Sequence, residues 1–65
     1  MNEFGERLKE LRENQNLTEA QLAKMLGCGS NHIYSYEDGC TMPGLLKLRQ
    51  LKKLFGCSWF ELLGE

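Results

Sequence analysis

A chain of 65 residues can enclose only one small core, because short chains bury a smaller share of their surface than long ones. With 42% hydrophobic and 26% charged residues, the composition is that of an ordinary folded domain and excludes a disordered tail. Eight Lys and Arg against nine Asp and Glu give a formal charge of -1, which withholds the basic signature common among nucleic-acid binders.

In chain order, Asn2 to Asn14 places Phe4, Leu8 and Leu11 at helical spacing with charges between them, predicting a first helix. That stretch is acidic and basic throughout and lacks an apolar run, so no signal peptide is expected, and no apolar run in the sequence is long enough to span a bilayer. Asn14-Gln15-Asn16 ends the helix. Thr18-Glu19-Ala20-Gln21 is a capping box, in which the Thr hydroxyl accepts a backbone N–H and the Gln reaches back. It opens a second helix that stops at Gly27. A third is expected from about Ser30 to Asp38, stopped by Gly39. Pro43 suits the first turn of a fourth helix, where its missing N–H costs nothing. Leu45, Leu48, Leu51, Leu54 and Phe55 form that helix's apolar face, and Gly56 ends it. Ser58-Trp59-Phe60-Glu61 is a second capping box, opening a short fifth helix through Leu63. Nothing suggests a strand. The expected fold is all-α, a compact five-helix domain spanning residues 1–65.

The three cysteines, Cys28, Cys40 and Cys57, each follow a helix-stopping glycine. An apolar residue there folds back on the last helical turn, and cysteine serves as a small hydrophobe, which accounts for Cys28 and Cys57. The odd count and the absence of a CxxC pair fit a reducing cytoplasm. The cysteines with His32 have zinc-binding atom types without zinc-site spacing, so no metal or other cofactor is expected. A Cys40–His32 nucleophile and base would need an electropositive setting, and Asp38 supplies the opposite, so no enzyme is expected.

The stretch from Glu19 to Gly39 carries the function. Two short helices joined by a few residues must cross steeply. Ala23 supplies a small residue for the close approach, Gly27 a glycine in the turn, and Ile33 and Tyr36 an inward face three residues apart. That is a helix-turn-helix over about residues 19–38.

Leu8-Lys9-Glu10-Leu11-Arg12, Leu17-Thr18, Gln21-Leu22-Ala23, Leu26-Gly27, Ile33, Tyr36-Glu37, Gly39, Pro43 and Leu54-Phe55-Gly56-Cys57-Ser58, with Glu61-Leu62-Leu63, stand in a characteristic order and spacing. Across essentially its whole length the chain resembles the Cro and C1-repressor-like (XRE-type) DNA-binding domains. The resemblance implies a lambda-repressor-like fold whose third helix, about residues 30–38, lies in the major groove. It places Ser30, Asn31, Tyr34 and Ser35 at base edges, where Asn31 can make the paired contact that suits adenine. It assigns phosphate contacts to Thr18, Glu19, Ala20, Thr41 and Lys47, with the start of the fourth helix, and pairs Arg12 with Glu37 as scaffold.

The resemblance further implies a small transcriptional regulator in a bacterial or phage-encoded setting. Its partner is double-stranded DNA bound at a palindrome by a homodimer, with no membrane and no small-molecule ligand. Departures bear on this reading. Glu19 stands where Gln is frequent, Cys40-Thr41-Met42 lacks the usual positive charge, and Asp38 adds a negative one, so monomeric binding is expected to be weak. Phe60 and Leu46 occupy positions usually polar. Adjacent on one short helix, Trp59 and Phe60 cannot both face the same core, which makes them the candidate dimer contact. The alternative is a protein-interaction module that retains the helix-turn-helix shape with little DNA affinity.

Overall fold

Capping residues and left-handed turns set nearly every helix boundary. The computed structural model describes residues 3–64, so the expected helical start at Asn2 lies outside the described residues. Five helices and no strand are described: α1 (Glu3–Asn14), α2 (Glu19–Leu26), α3 (Ser30–Asp38), α4 (Leu45–Phe55) and α5 (Trp59–Leu63).

Two starts are boxed. Thr18 Oγ1 accepts from the Gln21 N–H at 3.0 Å, and Gln21 Oε1 accepts from the Thr18 N–H at 2.8 Å. Ser58 and Glu61 repeat the arrangement at α5, at 3.0 and 2.9 Å. The starts of α3 and α4 differ, being capped by Gly29 and Gly44 without a side-chain hydrogen bond. Pro43 therefore does not lie in the first turn of α4. It precedes the cap, and its buried ring contributes packing at the helix entry instead of occupying the first helical position.

One device closes four helices. Asn16, Gly27, Gly39 and Gly56 adopt left-handed φ values of 58°, 75°, 88° and 62°. The next N–H in each case then reaches the carbonyl five residues back: Leu17 to Arg12 (3.1 Å), Cys28 to Ala23 (2.9 Å), Cys40 to Ser35 (3.0 Å) and Cys57 to Lys52 (3.3 Å).

Each helix sends one leucine or isoleucine fully inside: Leu8, Leu22, Ile33, Leu51 and Leu62. Burial of each stabilises the fold by about 1.5–3 kcal/mol. Phe4, Ala23, Leu26, Tyr36 and Cys57 complete the core, with Cys28 packed against it. Most of the packing joins α3 to α1 and α2, and α5 to α1, while α4 meets α2 more lightly.

Candidate nucleic-acid interface

The third helix is held from one side and left open on the other. Ile33 and Tyr36 are buried, whereas Ser30 and Asn31 are exposed, Tyr34 is 58% exposed and Ser35 is half-buried. Among the described residues, no hydrogen bond engages the side chains of Ser30, Asn31, Tyr34 or Ser35. His32 leans on the Tyr36 ring, 6.5 Å between centroids.

The far end of α3 is fixed by a charge pair between helices. Arg12 Nε donates to Glu37 Oε2 at 2.7 Å and Nη2 donates to Oε1 at 3.2 Å, while Nη1 donates to the Leu17 carbonyl at 2.7 Å. One guanidinium thus joins the end of α1, the α1–α2 loop and the end of α3. The bond to Glu37 raises the Arg12 pKa against the opposing cost of burial. A raised cationic pKa keeps the Arg12 guanidinium charged at every pH below the ordinary arginine value, so its side of the attraction is lost only in strong alkali.

The positions assigned to phosphates are less uniform. Thr18 spends its hydroxyl on the capping box, Ala20 and Thr41 are exposed, and Glu19 is half-buried. Lys47 does not extend freely into solvent, since its Nζ donates to the Leu26 carbonyl at 2.8 Å and caps the end of α2. A cleft of about 400 Å³ beside α3 is lined by Lys9, Arg12, Glu13, Glu19, Tyr34, Glu37 and Asp38. With Arg12 engaged by Glu37, Lys9 alone faces Glu13, Glu19 and Asp38 there, so the flank of α3 is negative.

On α5, Leu62 takes the core position, leaving Trp59 at 38% and Phe60 at 62% exposure. Lys52 sits over the Trp59 ring (5.5 Å) and Arg7 over the Phe60 ring (5.4 Å). Arg7 also donates from Nη1 to the Phe60 and Glu61 carbonyls, at 3.3 and 3.4 Å. Arg7 also pairs with Glu3 one turn earlier at 3.5 Å, but nothing in the sequence pointed to its tie to α5, whose carbonyls lie more than fifty residues away.

Residues 5–63 match the sequence family described as a helix-turn-helix domain. The chain belongs to this family, in its Cro/C1-repressor-like (XRE) branch. The crystal structure of the P22 c2 repressor protein in complex with synthetic operator 9T superposes with a TM-score of 0.85 at 32% identity, covering 95% of this chain and 96% of that one. The HTH-type transcriptional activator BcrR of Enterococcus faecalis is 38% identical over 94% of this chain and 30% of its own length. The transcriptional repressor RstR of the Vibrio cholerae cryptic phage CTXphi is 29% identical over 95% of this chain and 56% of its own. The chain thus spans between 30% and 56% of these curated relatives' lengths.

Within this helix-turn-helix, α2 and α3 are the paired helices and Gly27-Cys28-Gly29 the turn between them. Gly29 has ordinary extended angles, φ −82° and ψ 156°, so backbone strain does not call for glycine there. A Cβ there would stand 2.6 Å from Asn31 Oδ1. The glycine gives up a side-chain cap and leaves the Asn31 carboxamide room to fold back over the start of α3.

The cysteines divide by position: Cys57 is buried, Cys28 half-buried and Cys40 exposed just beyond α3. The Cys40 thiol donates to Asp38 Oδ2 at 3.2 Å, and this bond, with the carboxylate charge, raises the thiol pKa. Burial raises that of Cys57. Only the thiolate attacks alkylating reagents. Asp38→Asn is therefore expected to speed alkylation of Cys40 several-fold near neutral pH and to move its rate–pH profile downward. Peptide mapping after timed iodoacetamide labelling checks this, and an unchanged profile would remove Asp38 as the cause.

Proposed function

We propose that this helix-turn-helix binds double-stranded DNA as a homodimer, laying α3 in the major groove of a palindromic site in transcriptional regulation in the cytoplasm. The row of unengaged polar side chains on α3 carries the reading. Ser30, Asn31 and Tyr34 are exposed on a helix whose opposite face is anchored by Ile33 and Tyr36 and whose end is tied by Glu37. A helix with its side chains is about 10–12 Å across, which fits a major groove about 12 Å wide. Asn31 is the adenine reader in this arrangement. Ser30 and Ser35 make less selective hydrogen bonds, and Tyr34 meets a thymine methyl or a phosphate.

Backbone N–H groups at the starts of α2 and α4, with Thr41, serve the phosphates, since helix N-termini attract anions. The start of α4 is open for this, as Gly44 caps it without a side chain. Each neutralised phosphate adds about one unit to the salt dependence of binding. Glu13, Glu19 and Asp38 subtract from that attraction, so one protomer binds weakly and salt-sensitively. Trp59 and Phe60 join two protomers, setting the α3 helices about 34 Å apart, one DNA turn. No cofactor or small-molecule ligand takes part.

The test is selection from a random duplex library at low salt, with the natural chain and with Asn31→Ala. The expected result is an enriched palindrome whose adenine preference vanishes in the variant, a loss of about 1–3 kcal/mol of discrimination at that base pair. No enriched sequence would turn the reading to a protein-interaction module, which the negative flank of α3 favours.

A further inference from the structure

On the side of the molecule formed by α2 and α4, an apolar groove adjoins the main concentration of positive charge. Met25, Leu26, Gln50, Lys53 and Leu54 line a groove of about 450 Å³. Met25 is 53% exposed, and Leu46, one turn before Gln50, is 75% exposed. Lys53 is also shared with the neighbouring recess, which holds Arg49, Lys52 and Trp59. The eleven residues of α4 include four cations and no acid, in a chain whose net charge is -1. The carboxylates gather elsewhere: Glu3, Glu6 and Glu10 line a cleft on α1, and Glu13, Glu19 and Asp38 lie beside α3.

We propose that the α2–α4 groove is a docking site for an acidic amphipathic helix of a partner protein, independently of whether α3 reads DNA. Apolar side chains of the partner at helical spacing would cover Met25 and Leu54, and flanking carboxylates would meet Lys53 and Arg49. Three observations select this occupant. A DNA backbone has nothing to offer an apolar wall, and the groove is lined by the C-terminal end of α2 and the second half of α4, away from the helix starts proposed for phosphates. Symmetric pairing of two copies through this face would bring two cation-rich, acid-free α4 surfaces together. Head-to-tail pairing with the acidic face of α1 would grow open-ended chains instead of closing. An acidic apolar helix satisfies both the wall and its rim.

The experiment titrates the isotope-labelled full chain with a stapled helical peptide of about four turns, bearing Leu at i, i+4 and i+7 and Glu on both flanks. A second peptide carries Lys in place of each Glu. The expected result is saturable NMR shifts at Met25, Gln50, Lys53 and Leu54, with the Glu peptide binding at least about tenfold tighter than the Lys peptide. Lys53→Glu with Arg49→Glu reverses that preference, and Met25→Asp weakens the Glu peptide. All three positions are exposed, so the variants keep their fold, which their spectra report. Equal binding of the two peptides, absence of saturable shifts, or shifts centred on Trp59 and Phe60 would overturn the proposal. Displacement of the Glu peptide by a duplex at physiological salt would overturn it too, by assigning this face to nucleic acid.

Discussion

Glu37→Ala is expected to destabilise the domain by about 3–5 kcal/mol, the usual cost of stranding one member of a buried ion pair. The side chains of Arg12 and Glu37 are only 10% and 6% exposed in the pair, so the guanidinium left behind would be hydrated only through the cleft beside α3 that it lines. Of its three hydrogen bonds, only the one to the Leu17 carbonyl would survive. A 65-residue domain holds about 3–10 kcal/mol in total, so the variant is either unfolded at room temperature or melts at least about 12 °C lower. Arg12→Met combined with Glu37→Leu removes both charges and fills the space, and should recover much of the loss. Thermal melts of the single and double variants form the cycle that isolates the pair. A single variant that melts within a degree or two of the natural chain would show that the pair does not hold α3. The consequence reaches function, because Glu37 is the tie at the end of the helix that carries Asn31 and Tyr34.

Local chemistry made much of this architecture legible in the sequence. Capping boxes and chain-stopping glycines act through neighbours within five residues, so Thr18-x-x-Gln21, Ser58-x-x-Glu61, Gly27, Gly39 and Gly56 marked helix ends where they occur. Pro43 misled because two local preferences compete. Proline suits a first helical position, but here its ring is buried one residue outside the cap. The cations were the least legible feature. A lysine's spacing does not disclose whether its ammonium meets a phosphate, a carbonyl or a ring, and three-dimensional packing decided each case. Lys47 reaches the end of α2, Lys52 covers Trp59, and Arg7 holds the last turn of α5 from across the chain. Asn31 and Gly29 show the same limit at the site itself, since the space one leaves for the other appears only in coordinates.

Phe60→Glu is expected to abolish the proposed dimer and to lower affinity for a palindromic duplex by about 10²- to 10⁴-fold, the gain that coupling two half-sites confers. The fold should survive. Phe60 is 62% exposed, its apolar area contributes little to the core, and an introduced carboxylate would stand near the Arg7 guanidinium that now lies over the ring. Across a symmetric contact the two new carboxylates would instead oppose each other, with Trp59 beside them. Sedimentation reads the dimer, and duplex titration reads the affinity. The added charge could weaken DNA binding by itself, so Phe60→Gln serves as the neutral control and should also lose most of the affinity for the full palindrome. Affinity for a half-site should remain near that of the natural chain in Phe60→Gln. If only the Glu variant loses affinity, the loss is phosphate repulsion and Phe60 is not the dimer contact. If neither variant changes the dimer, its symmetric surface lies elsewhere. The negative flank of α3 sharpens the distinction: with Glu13, Glu19 and Asp38 limiting what one protomer can hold, the proposed pairing of protomers would supply most of the usable affinity.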